Sequence, residues 1–397
     1  MRKRYWLFVA LFIWGCGGRR ITAPPAIPGL VTIPDAIQCG ALAVSEGAVW
    51  AALGDYELFS LSLFGGSSRT DELVRIDLDS NQVTARLRDV EWDGFFLRTP
   101  DIELGSGALW VANRGGDSGE PVIWKVDSES GEIAEKLRLA RPMDARIATG
   151  ERILWVANRF ASFGEANRLL GVDPETAQVS STIELHNAGL DVAVTDGAVW
   201  VLHPDATISR IDPSTNRVSG VIRLPDSDSG SSFLTAGSGA IWLAAPSLPP
   251  FLPSLFLYGP SSTLNREERP GAELARLDPG ENRIVERIPF GGELGPVMVA
   301  DVVVGGHSVW VSLIVLPKDA MHWRSDDAIR DSEHWLAEID SRTNQLAGMV
   351  PLGQIGTPAP RLAVVEDDLF VCGASIWRIP MDALRAAFLP RTSGPAN

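Results

Sequence analysis

The chain has little of what most catalytic centres are made from. Among its 397 residues are five histidines, at positions 186, 203, 307, 322 and 334, and three cysteines. No histidine stands in an HExxH pattern or beside cysteines at a zinc spacing, which removes the usual sequence grounds for a zinc enzyme. His322 and His334, with Asp326 and Asp327, fall in one stretch rich in possible metal ligands, but solvated loop polarity is the better account. GxSxG, the P-loop and the dinucleotide fingerprint are also missing, so no metal and no cofactor is expected. Basic charge is scarce, with 35 Lys and Arg against 50 Asp and Glu, a formal net charge of −15. No basic stripe or stacking aromatic series offsets it, which disfavours nucleic acid and anionic lipid headgroups as partners. Long apolar runs are missing too. The longest at the N-terminus, YWLFVALFIWG, is too short for a stable membrane span.

What the chain does have is a repeat. Seven times a short apolar run is built around Trp or Phe: GAVWAAL (Trp50), GALWVAN (Trp110), RILWVAN (Trp155), GAVWVLH (Trp200), GAIWLAA (Trp242), HSVWVSL (Trp310) and DDLFVCG (Phe370). Six are followed by a second element: LVRIDLDSNQV, IWKVDSESGEI, LLGVDPETAQV, ISRIDPSTNRV, LARLDPGENRI and LAEIDSRTNQL. Their aspartates are Asp77, Asp127, Asp173, Asp212, Asp278 and Asp340. The fourth unit shows four apolar runs, LDVAVT, AVWVLH, TISRID and RVSGVIRL, separated by TDG and PSTN turns. Alternating β-branched residues bounded by such turns predict antiparallel strands joined by hairpins. A repeat of 42 to 68 residues made only of short strands and turns predicts an all-β, seven-bladed β-propeller. The Trp belongs to the second strand, filling the space between blades. The Asp opens the turn to the outer strand and caps backbone N–H groups there. Both roles are structural.

The seventh unit has three strands, PRLAVVE, DLFVCG and SIWRIP, and the pattern stops at Pro380. Its missing outer strand is available in Gly29-Leu-Val-Thr-Ile-Pro34. An N-terminal strand completing the last blade removes two open sheet edges. This gives one propeller domain over 27–380, with 381–397 as a C-terminal tail.

Ahead of it, a basic start, a short apolar core and small residues before Cys16 describe an export signal over 1–15. Ile13-Trp14-Gly15-Cys16 resembles the bacterial lipobox, although Trp14 replaces the small residue usual there. The resemblance implies that Cys16 carries lipid and that 16–26 is a membrane-proximal linker of at most ~35 Å. Gly17 is not the aspartate tied to inner-membrane retention, so the implied address is the bacterial cell envelope, at the outer membrane if the host has one. A cleaved signal and a secreted or periplasmic protein is the alternative. Loss of Arg2, Lys3 and Arg4, with no acid in 1–15, takes the charge from −15 to −18. In an oxidising compartment Cys39 and Cys372 are left as a pair, on blades that are neighbours only if the ring closes. Two buried free thiols are the other possibility.

Candidate sites follow from the same alignment. Nine residues before each aromatic stand Ala41, Asp101, Arg146, Asp191, Phe233, Asp301 and Arg361, and the next position is always aliphatic. Asp101, Arg146, Asp191, Asp301 and Arg361 should form a mixed-charge collar at the channel mouth, serving as structural ion pairs or as a polar ligand site. Arg114 and Arg159 would add to the rim. Long insertions at 54–71, 246–270 and 316–334 fall on the same face. In the second, SLPPFLPSLFLYGP is too apolar for disorder, so Phe251, Leu255 and Phe256 are candidates for contact with a partner, a lipid or the disc itself. His186 and His203 approach each other on that face.

The repeat G-x-(L/V)-W-V-A-N…I-D-P-x-T-N-x-V resembles the YVTN-type and streptogramin B lyase-like propellers over residues 28–380. The lyase relatives imply a metal and a general-base histidine on one face of the disc. At the corresponding blade starts this chain has Asp or Arg instead. The favoured expectation is therefore a non-catalytic, membrane-anchored binding propeller with an unknown envelope protein or small polar ligand as partner. A propeller lyase or hydrolase is the alternative. A quinone-cofactor propeller is weaker, since its tryptophan-docking repeats are not evident.

Overall fold

Strands dominate because every unit alternates apolar and polar residues between turns rich in Gly, Asn and Asp. The computed structural model describes residues 26–37, 39–45, 47–54, 72–88, 100–113, 122–139, 145–150, 152–158, 167–224, 233–245, 272–290, 294, 297–315, 332–355 and 360–388. These form seven antiparallel four-stranded sheets arranged as the blades of a β-propeller. Blade four is representative. Its strands β14 (Asp191–Thr195), β15 (Ala198–Leu202), β16 (Thr207–Asp212) and β17 (Arg217–Arg223) pair in chain order. Gly197, at φ +76°, makes the tight turn between the first two. Among the described residues no helix is long and apolar enough to cross a membrane.

The core is a relay of aromatics. Trp50, Trp110, Trp155, Trp200, Trp242, Trp310 and Phe370 are all almost fully buried. Each packs on the next blade: Trp110 meets Ile147 and Val156, Trp200 meets Leu234 and Leu243, and Trp310 meets Leu362 and Val371. Phe370 completes the circuit against Val49, Ala51 and Val74 of blade one. Truncating one such side chain to Ala typically costs about 3–5 kcal/mol, and here each loss would open a seam between two sheets.

The ring closes through the N-terminal segment. Strand β1 (Val31–Ile37) pairs antiparallel with β28 (Ser375–Pro380), with Val31 opposite Arg378 and Ile33 opposite Ile376. The strand lies slightly later than 29–34 because Gly29, at φ +76°, belongs to the preceding turn. Arg378 reaches blade one, donating to the Leu78 carbonyl and, at 2.9 Å, to Asn81 Oδ1. Cys39, opening β2 (Cys39–Ser45), and Cys372, ending β27 (Asp368–Cys372), are joined as a disulfide with Cα atoms 5.3 Å apart.

Two segments differ from their sequence-based placement. Residues 381–388, assigned to a tail, dock on the disc. Helix α1 (Met381–Ala386) buries Met381 and Leu384, and Arg385 binds the buried Glu338 at 2.7 Å. Phe388 lies 6.3 Å from Trp310, where Gly348 leaves room for its ring. His334 is not in a loop. Blade six has longer inner strands, so β24 (Glu333–Asp340) begins early and pairs His334 with Ile314, burying it. Residues 322, 326 and 327 lie outside the described part.

All six repeated aspartates sit at the turn into the outer strand and accept backbone N–H groups two or three residues ahead. Asp212 Oδ1, for example, accepts from Ser214 N at 2.8 Å. Asp77, Asp127, Asp173, Asp278 and Asp340 do the same.

Candidate functional site: the mouth of the central channel

The innermost strands line the channel and start at one face of the disc, here the upper face. Besides β2 and β14 they are β6 (Asp101–Gly105), β10 (Ala145–Thr149), β18 (Phe233–Gly237), β22 (Val297–Gly305) and β26 (Arg361–Val365). Because these strands carry the same register, residues at their aligned position meet around one opening. Asp101, Arg146, Asp191, Phe233, Asp301 and Arg361 all line it. Two overlapping lobes of about 370 and 270 Å³ occupy the channel and share Asp101, Glu103, Arg146, Asp301 and Arg361 as walls. Arg114, Arg159, Phe251, Leu255, Phe256 and Cys16 lie outside the described residues.

The collar follows a rule that sequence alone did not reveal. The three aspartates stand on blades two, four and six, and each reaches forward to the next blade. Asp101 accepts from Ile147 N, Asp191 from Leu234 N and Asp301 from Leu362 N, each at 2.8 Å. The aliphatic residue of each aligned pair thus supplies both a packing side chain and the N–H that the acid clamps. Arg146 adds an ion pair to Asp101 at 3.2 Å, and Arg361 one to Asp301 at 3.5 Å. Arg361 also lies over the Phe233 ring, 5.4 Å from its centroid. Burial pushes the Asp301 carboxyl above the usual range, against the pull of Arg361 and two backbone N–H groups. Each pair is sheltered enough that removing one partner leaves a charge poorly compensated.

One further group was missed. Glu103, two residues below Asp101 and opposite Trp110 in the sheet, lines both lobes. Protein walls it in while part of its surface stays open to the channel. Desolvation, aided by the charges of Asp101 and Asp191, raises its pKa from the ordinary 4.5 to about 8. The signal was available by the same alignment moved two places: Ala43, Glu103, Ala148, Ala193, Thr235, Val303 and Ala363 hold one ionisable residue. Below this level the blades close in, and a Cβ on Gly105 or Gly305 would collide with Thr149 or Val364.

The histidines of blade four do meet, with ring centroids 4.3 Å apart. His203 is buried, and its Nδ1 lies 2.8 Å from the Ala188 carbonyl, which requires Nδ1 to carry the proton. Its Nε2 therefore accepts from the Ser209 hydroxyl, also at 2.8 Å. Burial lowers the His203 pKa, so the ring is neutral. Ser209 has no exposed surface, which keeps this Ser–His contact away from any substrate. His186 is more open, with Nε2 2.9 Å from Thr207 Oγ1 and 3.3 Å from Asp205 Oδ2. Among the described residues no three His, Cys, Asp or Glu side chains converge as a metal-binding group.

Comparison of the chain with protein-family models and with curated proteins found no match. The fold and the site geometry therefore define the class, a seven-bladed β-propeller with a charged channel mouth.

Proposed function

We propose that this is a non-catalytic binding propeller of the bacterial envelope, held by lipid on Cys16, that takes a small polar ligand at the upper channel mouth. The repeat motif supports placing it near the YVTN-type and streptogramin B lyase-like propellers. One observation carries the reading: five charged side chains converge on a channel cavity of ligand size, on the face where the long insertions begin. Pockets of a few hundred Å³ with a few convergent polar groups are the usual form of a small-molecule site. Phe251, Leu255 and Phe256, from the insertion of blade five, would add an apolar surface for an envelope protein on the same side. An enzyme reading would need an accessible base, and the buried histidine, His203, has both ring nitrogens engaged.

Cross-linking in the native envelope followed by mass spectrometry tests this directly. Phe251→Ser, Leu255→Ser and Phe256→Ser together should abolish partner capture while the disc stays folded. Arg146→Ala and Arg361→Ala should weaken a charged ligand more than an apolar partner. Retention of every cross-link in both variants would move the site elsewhere. Turnover of a small substrate that stops on changing His186 would establish the enzyme reading instead.

A further inference from the structure

We infer that the channel below the collar is a receptor for a small alkylammonium group, whose positive end sits against the Glu103 carboxyl. The inference rests on the reading of the channel as a ligand site and names the chemistry that site would take. Among the charged groups lining the channel, the collar acids are engaged by backbone N–H groups and Arg146 and Arg361 by carboxylates. Glu103 has no hydrogen-bond or ion-pair partner among the described residues, and its open side faces the cavity. A half-buried carboxyl that lines a cavity without a protein partner is left to water or to a ligand.

The sign of the ligand follows from the surroundings. Facing Glu103 are Asp101 on its own strand, Asp191 on β14, Arg146 on β10, Asp301 on β22 and Arg361 on β26. Strands β2 and β18, and β7 (Ala108–Asn113), contribute no titratable residue. Of the two acids that act on it most, both oppose a second negative charge, so the field at its oxygens is negative and favours a cation. The level of Glu103 is otherwise walled by Ala43, Ala148, Ala193, Thr235, Val303 and Ala363. These small side chains leave room for a short alkyl chain beneath the polar collar, with the ammonium end at the carboxyl.

Binding is then coupled to a proton. Below pH about 8 the Glu103 carboxyl holds its proton, and an arriving ammonium favours the ionised form, so complex formation releases that proton. The ammonium keeps its own charge throughout this range.

Calorimetric titration of the mature protein with n-butylammonium tests the inference, run in two non-amine buffers of different ionisation enthalpy. At about pH 7 close to one proton should be released per ligand, and affinity should rise about eightfold by about pH 8.5. Glu103→Gln should bind at least about tenfold more weakly at the higher pH and release no proton. The proton count in the unchanged protein needs no variant and stands if Glu103→Gln misfolds. Absence of binding, binding without proton release, or indifference to Glu103→Gln overturns the inference. Displacement by potassium as effective as by butylammonium also overturns it, in favour of an alkali-cation site. If butylammonium fails while an anionic ligand is bound and lost in Arg146→Ala, the collar reading survives without this inference.

Discussion

The molecule carries two rings of acids that look alike in sequence and behave as opposites. The outer ring, Asp77, Asp127, Asp173, Asp212, Asp278 and Asp340, is repeated almost blade for blade and sits half-exposed or exposed at the turns into the outer strands. Hydrogen bonds from the turn hold each carboxyl below its usual range; for Asp212 the Ser214 hydroxyl leads. The inner ring departs from the repeat at every blade, alternating Asp with Arg or Phe and leaving Ala41 at one place. There burial dominates, raising both Asp301 and Glu103. Repetition marks what builds the blades, while departure from it marks what distinguishes this channel. Six outer aspartates spread around a rim cannot act together, whereas the inner residues share one cavity.

The comparison depends on a closed ring, so the largest effect is expected from opening it. A variant lacking residues 27–37 leaves β28 and β5 (Gln82–Leu87) without the strand that bridges blade seven to blade one. Cooperative unfolding should be lost, or aggregation should follow, as seen by calorimetry and light scattering. Melting like that of the parent would show that β1 is dispensable. Replacing Cys39 and Cys372 by Ser tests the second closure. The chain-entropy ceiling for so long a loop is about 6 kcal/mol, and the loss should fall well below it because β1 already closes the ring. Denaturant unfolding of oxidised, reduced and doubly substituted protein would measure it.

The two rings should also answer pH with opposite sign. Glu103 is raised, so between pH 4.5 and about 8 the folded state holds a proton that the unfolded state has lost. Stability should fall as pH rises through that window, by at most about 1.4 kcal/mol per pH unit, and Glu103→Gln should remove that slope. Asp212 is lowered, so its contribution is complete above the unfolded value of 3.8 and is lost as pH falls through the folded value. Asp212→Ala should therefore show a small loss of stability at neutral pH that vanishes in acid. A loss independent of pH would mean that the turn hydrogen bonds to Ser214 contribute nothing through the charge.

Much of the fold was legible because the repeat states it seven times: the aromatic, the Asp turn and the count of blades all follow from register. Even the missing strand of blade seven could be found, since an unpaired edge demands a partner and segment 29–34 had the right alternation. The collar was legible as a list of residues but not as a mechanism. Nothing in sequence says that Asp101 reaches Ile147 N on the next blade, because that contact depends on how blades tilt against each other. Glu103 was legible only as a lone acid among Ala, Thr and Val two places beyond the collar, and nothing in the repeat says that this position faces the channel. The docking of Arg385 on Glu338 could not be read, since a six-residue helix after the last strand repeats nothing and its partner is 47 residues away.

The central claim is that burial raises the pKa of an acid inside the channel while turn hydrogen bonds lower those of the outer ring. A carbon-13 NMR titration of the side-chain carboxyls, with Glu103 and Asp212 assigned through single substitutions, measures both in one experiment. The account predicts that Glu103 titrates near 8 and Asp212 below 3.8. Glu103 titrating near its ordinary 4.5 would contradict it.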